Sequence, residues 1–174
     1  SVQRRMAGRS KLAALTASAI CALGLGAAAP AGAVTLEKGD IVVLDVGDFI
    51  EPAKLIKVDP VTGQQTLISD NSISGPNLFQ GPHGVDAASD GTLLVVDPVA
   101  AAVIAVDPDT GQQSLVSDNT ISGPNLFDEP LAIKVDQTGR ILIADPANDS
   151  VVAVNRTTGQ QSLVSDDAIS ANDL

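Results

Sequence analysis

An all-β, internally repeated architecture is what this sequence predicts, and three observations carry the prediction. The first is a period. Asp-Pro-Val-Thr-Gly-Gln-Gln-Thr-Leu-Ile-Ser-Asp at 59–70 recurs as Asp-Pro-Asp-Thr-Gly-Gln-Gln-Ser-Leu-Val-Ser-Asp at 107–118. It returns as Asn-Arg-Thr-Thr-Gly-Gln-Gln-Ser-Leu-Val-Ser-Asp at 155–166. Gly63, Gly111 and Gly159 stand 48 residues apart both times. The second is run length. Val and Ile dominate apolar runs of four to six residues bounded by Gly, Pro, Asn and Asp, which suits strands and is too short for most helices. The third is a count of four such runs per repeat, as at 131–135, 141–144, 151–154 and 162–165.

Taken in chain order, residues 1–33 read as a secretory signal. Arg4, Arg5, Arg9 and Lys11 precede an uncharged Ala- and Leu-rich stretch, and Ala31 and Ala33 fit the small-residue cleavage rule. A membrane anchor is the competing reading, and the many Ala and Gly residues beside a cleavage site favour removal, with Val34 as the first mature residue. The first repeat then offers strands at 41–44, 55–58 and 66–69, and no strand before Gly39. Its Gly39 landmark lies 52 residues before Gly91, which places a four-residue insertion near 47–53. Repeats two and three are complete, so eleven strands are expected. Asp-Pro-x-Thr-Gly between the third and fourth runs is a hairpin signal: Pro pre-sets φ, Asp bonds the following backbone, and Gly takes the left-handed position. Ile-Ser-Gly-Pro-Asn-Leu-Phe at 73–79, repeated identically at 121–127, lacks strand alternation and reads as the crossing between units.

Four antiparallel strands per 40–50 residues is the arithmetic of a β-propeller blade. A lone four-stranded unit buries neither face, so neighbouring units must stack. The expectation is an incomplete ring of about three blades with 48-residue repeats, at about 39–81, 82–129 and 130–174. Propellers typically close with four to eight blades, so the chain reads as part of a longer propeller, with open blade faces that invite self-association. Pro-Leu-Ala-Ile-Lys-Val-Asp-Gln-Thr-Gly-Arg-Ile-Leu-Ile-Ala-Asp at 130–145 resembles the NHL-repeat pattern, a Pro and short strand before a Gly turn and a strand ending in Asp. The resemblance extends over about residues 39–174 and reaches the related gluconolactonase-like and streptogramin-lyase-like propellers. It implies the fold, and as an activity it implies a metal-assisted lactonase or lyase. The ligand motifs of the lactonases find no match in this chain, and the His on which the lyases rely finds one, His83.

Composition narrows function further. The chain carries 21 acidic and 10 basic residues, and loss of residues 1–33 leaves six basic against 21 acidic, a net charge of −15. Such acidity repels nucleic acid and anionic membrane surfaces. Cys21 is the single Cys and falls in the signal, so neither a disulfide nor a multi-ligand zinc site is expected. No cofactor and no metal are expected. Residues that recur in every repeat are assigned to the blade: Asp45, Asp97 and Asp145 end the second strands and can accept backbone N–H bonds in the following turn. The Gln pairs after each Gly are read as strand-edge polar residues that need no ligand.

Departures from the repeat are the better functional candidates. His83 stands where the next unit has Leu131, at the start of the innermost strand near the channel mouth, and is the one catalytic candidate. Asp86 stands where the next unit has Lys134 and Glu129 where the preceding one has Gly81, both changing charge near the same end, and the 47–53 insertion adds Phe49 with Asp48 and Glu51. A catalytic His83 is expected within hydrogen-bond reach of Asp86 or Asp97. The leading reading is an exported, secreted or periplasmic, binding or scaffold propeller for a protein or glycan ligand. The rival is the lactonase or lyase.

Overall fold

A computed structural model describes residues 34–47, 51–73, 75–121 and 123–170, side chains up to 168. The expected signal segment, Asp48, Phe49 and Ile50 of the insertion, and residues 171–174 lie outside the described residues. Eleven strands form three antiparallel sheets, and each sheet is one blade of an incomplete β-propeller. The first blade holds β1 (Ile41–Asp45), β2 (Lys54–Val58) and β3 (Gln65–Asp70). The second holds β4 (Gly84–Ala87), β5 (Leu93–Asp97), β6 (Ala102–Val106) and β7 (Gln113–Asp118). The third holds β8 (Ala132–Val135), β9 (Ile141–Asp145), β10 (Ser150–Val154) and β11 (Gln161–Ser165). A 3₁₀ turn at Pro146–Asn148 and a final helical turn, α1 (Asp167–Ser170), complete the described chain. Among the described residues no helix is long and apolar enough to cross a membrane.

Every blade is a simple meander with sequential strands as neighbours. The Asp-Pro-x-Thr-Gly hairpins close as expected: Asp59 Oδ1 accepts the Val61 and Thr62 amides, and Gly63 takes φ +72° while its amide reaches the Asp59 carbonyl. Each outermost pairing carries a register shift at one place, between Leu55 and Ile56, Val103 and Ile104, Val151 and Val152. The shift leaves Ile68, Val116 and Val164 as the extra residues of bulges. A bulge re-aims the side chain beside it. Ile68 and Ser69, consecutive in β3, are accordingly both buried, where plain alternation would expose one.

Two apolar layers glue the blades. Leu55, Ile68, Phe79, Leu93, Val95, Ile104 and Val106 fill the first, together with Val34 from the leading segment, whose amide reaches the Pro108 carbonyl at 3.1 Å. Leu94, Val96, Val103, Phe127, Ile141, Ile143, Val152 and Val154 fill the second. β5 and β6 are buried along their whole length because the second blade is covered on both faces. Each such Val, Leu or Ile contributes roughly 1.5–3 kcal/mol through burial. The outer faces differ. Along β1, Ile41 and Val43 are exposed while Val42 and Leu44 turn inward, so this blade is covered on one side only.

Candidate functional site

Strand direction alternates within each blade, so the β1–β2, β5–β6 and β9–β10 turns share one end of the inner strands with the long crossings, 71–83 and 119–131. That end collects His83, Asp128, Glu129, the described flanks of the insertion at Gly47 and 51–53, and the exposed Gly75-Pro76-Asn77 and Gly123-Pro124-Asn125 tips. The sequence-predicted departures from the repeat therefore converge, with one exception.

The exception is Asp86. Its carboxylate lies within the inner strand, where Oδ2 accepts the Lys134 ammonium at 2.8 Å and the Val135 amide at 2.7 Å. The Asp86 and Lys134 positions are equivalent in successive repeats, so the charge reversal makes an interblade ion pair instead of a recognition feature. Burial pushes Asp86 up, but the Lys134 bond and the Val135 and Ala87 amides outweigh it and hold the carboxyl below its ordinary value. Asp59, Asp90, Asp40 and Asp136 are likewise lowered, by backbone N–H groups at the first two, chiefly by Lys57 at Asp40, and chiefly by the Thr138 hydroxyl at Asp136, which falls to about 2. A carboxyl depressed on folding adds stability that is present above its unfolded pKa and is lost as pH falls through the folded one. Thermal melts between pH 6 and pH 2 should hold steady down to about pH 4 and then drop. Asp86→Asn should melt lower at neutral pH and fall less steeply in acid. A curve parallel to the parent's would show that this pair is uncoupled from folding.

Asp97 and Asp145 do more than shape the following turn. Asp97 is fully buried: Oδ2 accepts the Gln80 and Gly81 amides of the incoming crossing at 2.7 and 2.9 Å, and Oδ1 accepts the Ala100 amide at 2.9 Å. Asp145 binds the Asp128 and Glu129 amides at 2.7 and 3.1 Å. Each carboxylate thus ties a crossing to its own blade. In the first blade, Asp45 holds the Gly47 amide and lies 3.6 Å from Lys54.

His83 is exposed immediately before β4, and its amide donates to the Val96 carbonyl at 2.9 Å. No hydrogen bond joins its imidazole to Asp86 or Asp97, whose oxygens are engaged as described. Among the described residues no group of three His, Cys, Asp or Glu side chains could hold a metal ion.

The recurring Gln pairs were the feature most underestimated from sequence. The second Gln of the latter two pairs, Gln113 and Gln161, is only 4% and 5% exposed, whereas Gln65 of the first is exposed. Gln113 Oε1 accepts the Leu78 amide at 2.7 Å, and Nε2 approaches Ser69 Oγ, the Asp70 carbonyl and Asn71 Oδ1 at 3.3–3.4 Å. Gln161 repeats this with Leu126, Ser117, Asp118 and Asn119. Ser69 Oγ and Ser117 Oγ donate to the Gly111 and Gly159 carbonyls at 2.7 Å. Asn71 and Asn119 clasp the backbone of Phe79 and Phe127, seating each ring in the layer between blades. A near-invariant Gly-Gln-Gln-x-Leu-x-Ser-Asp unit in all three repeats was the available signal.

No protein-family model matches the chain, and no curated protein does. Solved structures that resemble it include a catalytically inactive virginiamycin B lyase from Staphylococcus aureus with quinupristin, 13% identical with a TM-score of 0.47. A streptogramin B lyase structure is 17% identical, also with a TM-score of 0.47. The matches cover 74% and 70% of this chain but only 42% and 39% of those chains, so it spans less than half of their length. At such identities neither likeness bears on chemistry.

Proposed function

We propose that this chain is an exported binding or scaffold propeller that engages a protein or glycan ligand through the crossing loops at the His83 end. The observation that carries the reading is a contrast within that end. The residues common to all blades, Asp97 and Asp145, are consumed in holding the loops, while the residues that depart from the repeat, His83 and Glu129, stay exposed on them. Varied side chains on loops fixed to a rigid frame are how scaffolds present recognition surfaces. The net charge of −15 expected after signal removal favours neutral or cationic ligands over polyanions.

The test uses a glycan array and a panel of cationic and neutral peptides, probed with the full chain and with His83→Leu and Glu129→Gly, which copy the equivalent positions of the other repeat. His83→Leu should shift stability by no more than about 0.5 kcal/mol, as an exposed substitution does. The pair of substitutions should weaken binding of the ligand found by at least about tenfold. Binding that survives both would remove the crossing loops from the site. Loss of bound metal or of a turnover activity in His83→Leu, with melting unchanged, would overturn the scaffold reading in favour of an enzyme.

A further inference from the structure

A short irregular stretch of chain grips the seam between the first and second blades. It lies at the end opposite His83, where the Asp-Pro-x-Thr-Gly hairpins turn. The Val34 amide donates to the Pro108 carbonyl of the second blade at 3.1 Å, and the Thr35 carbonyl accepts the Lys57 ammonium of the first at 2.8 Å. Val34 is buried in the apolar layer between these blades, and Leu36 packs against the same layer. A two-residue spacing puts both side chains on one face of extended backbone. An ion pair to Asp40 at 2.7 Å holds Lys57 in place.

The seam between the second and third blades has the same frame and, in that place, a cleft. Its volume is about 520 Å³, and Thr92, Ala105, Gln112, Ser114, Val116 and Arg156 are among the residues that line it. Ala105 is the repeat equivalent of Lys57, and Arg156 of Pro108, the two residues that hold the segment one seam earlier. Both walls belong to described blades. The third-blade hairpin is seated as its predecessor is, with Ser117 Oγ donating to the Gly159 carbonyl as Ser69 Oγ does to that of Gly111. The repeat itself brings no segment here. Gly39 aligns with Gly91, so Val34–Leu36 align with Asp86–Ala88, which β4 and its turn use. The leading segment is tied to β1 by residues 37–40, which keeps it at the first seam.

The chemistry of the second seam departs from the first at three positions. Lys57 becomes Ala105, Asp40 becomes Thr92, and Pro108 becomes Arg156. The cation thereby moves to the opposite wall, where the Arg156 guanidinium reaches Asp90 across the seam at 2.9 Å. A guanidinium carries five N–H donors, so Arg156 can keep Asp90 and still donate to a peptide carbonyl. We infer that this cleft binds a short extended peptide of another protein, with apolar residues two apart and a neutral or basic flank. The apolar pair enters beside Ala105 and Val116, a peptide amide donates to the Arg156 carbonyl, and a peptide carbonyl accepts the Arg156 guanidinium. Asp90 and Asp107 border the cleft against that one cation, which disfavours acidic flanks. This site is separate from the crossing loops and does not rest on what they bind.

A fluorescein-labelled peptide, Ala-Lys-Val-Thr-Leu-Lys-Ala, is the probe, titrated against the full chain by anisotropy. A control peptide carries Ser in place of both Val and Leu. The probe should bind saturably and the control at least about tenfold more weakly. Arg156→Pro, which copies Pro108, removes the guanidinium, and Ser114→Phe fills the cleft from an exposed position. Each should weaken the probe at least about tenfold, with thermal melts confirming that both variants fold. Lys57→Ala acts at the first seam, and His83→Leu acts on the crossing loops, so both should leave the affinity unchanged. A probe that fails to bind at about 1 mM overturns the inference. So does a control that binds as well as the probe, or affinity that is retained in either Arg156→Pro or Ser114→Phe. Loss of affinity in Lys57→Ala would mean that the peptide displaces the leading segment instead, and would equally overturn it.

Discussion

Gln113→Ala should lower the unfolding free energy by roughly 2–4 kcal/mol, the sum of lost hydrogen bonds and a stranded amide. Its Oε1 is the acceptor for the Leu78 amide, and its Nε2 reaches three oxygens at the end of β3. Alanine leaves the Leu78 N–H and the Ser69–Asp70 oxygens at a buried seam that water enters poorly. Gln112→Ala is the control, because that neighbour is exposed and should change stability by less than about 0.5 kcal/mol. Gln113→Glu separates the two halves of the clamp. It keeps an oxygen for Leu78 but replaces the donors with a charge aimed at three acceptors, so it should be no better than alanine. Denaturant melts of the three variants check this. A Gln113→Ala midpoint as mild as that of Gln112→Ala would mean that the apolar layers alone join the blades.

The strands were legible in the sequence because their signals are local. Short Val and Ile runs between Asp-Pro-x-Thr-Gly and Gly-Thr-Leu punctuation set all eleven, with ends that differ from expectation by a residue or so. The sharing of faces was less legible. Both faces of β5 and β6 are apolar and both are buried, but β1 has the same composition and lies half open, since burial depends on which blade stands beside it. Gln113 was misread for a related reason. Its partners lie 35 to 44 residues away on another blade, and no pattern within one repeat announces a contact between repeats. The bulge left a trace, Leu67-Ile68-Ser69 breaking strict alternation, yet its purpose appears only when Ser69 is seen reaching Gly111. At the candidate site the sequence singled out His83 by its departure from Leu131. The structure leaves His83 exposed on the crossing before β4, while the Asp86 carboxylate is taken by Lys134, a partner one repeat away.

Asp97→Ala should cost roughly 3–5 kcal/mol, the largest loss expected of any single substitution on the His83 end, because it strands buried backbone donors. Three amides, Gln80, Gly81 and Ala100, converge on the two carboxylate oxygens, and Asp97 itself is fully buried. Asp97→Asn is the sharper experiment. It preserves shape, but its single oxygen cannot serve both the crossing and the turn, and its NH₂ must face an amide donor. The isostere should therefore recover little of the loss. Asp45→Ala offers the internal comparison. That carboxylate serves one amide, Gly47, with a 3.6 Å ion pair to a partly exposed Lys54, and should cost about 1 kcal/mol or less. Since Asp97 anchors the crossing that carries His83, its loss should also loosen that loop, raising hydrogen exchange at residues 80–83 ahead of the β5 and β6 core. If the Gln80 and Gly81 amides stay protected in Asp97→Asn, the crossing is held by Phe79 and Gln113, and the carboxylate's part in presenting the His83 end is dispensable.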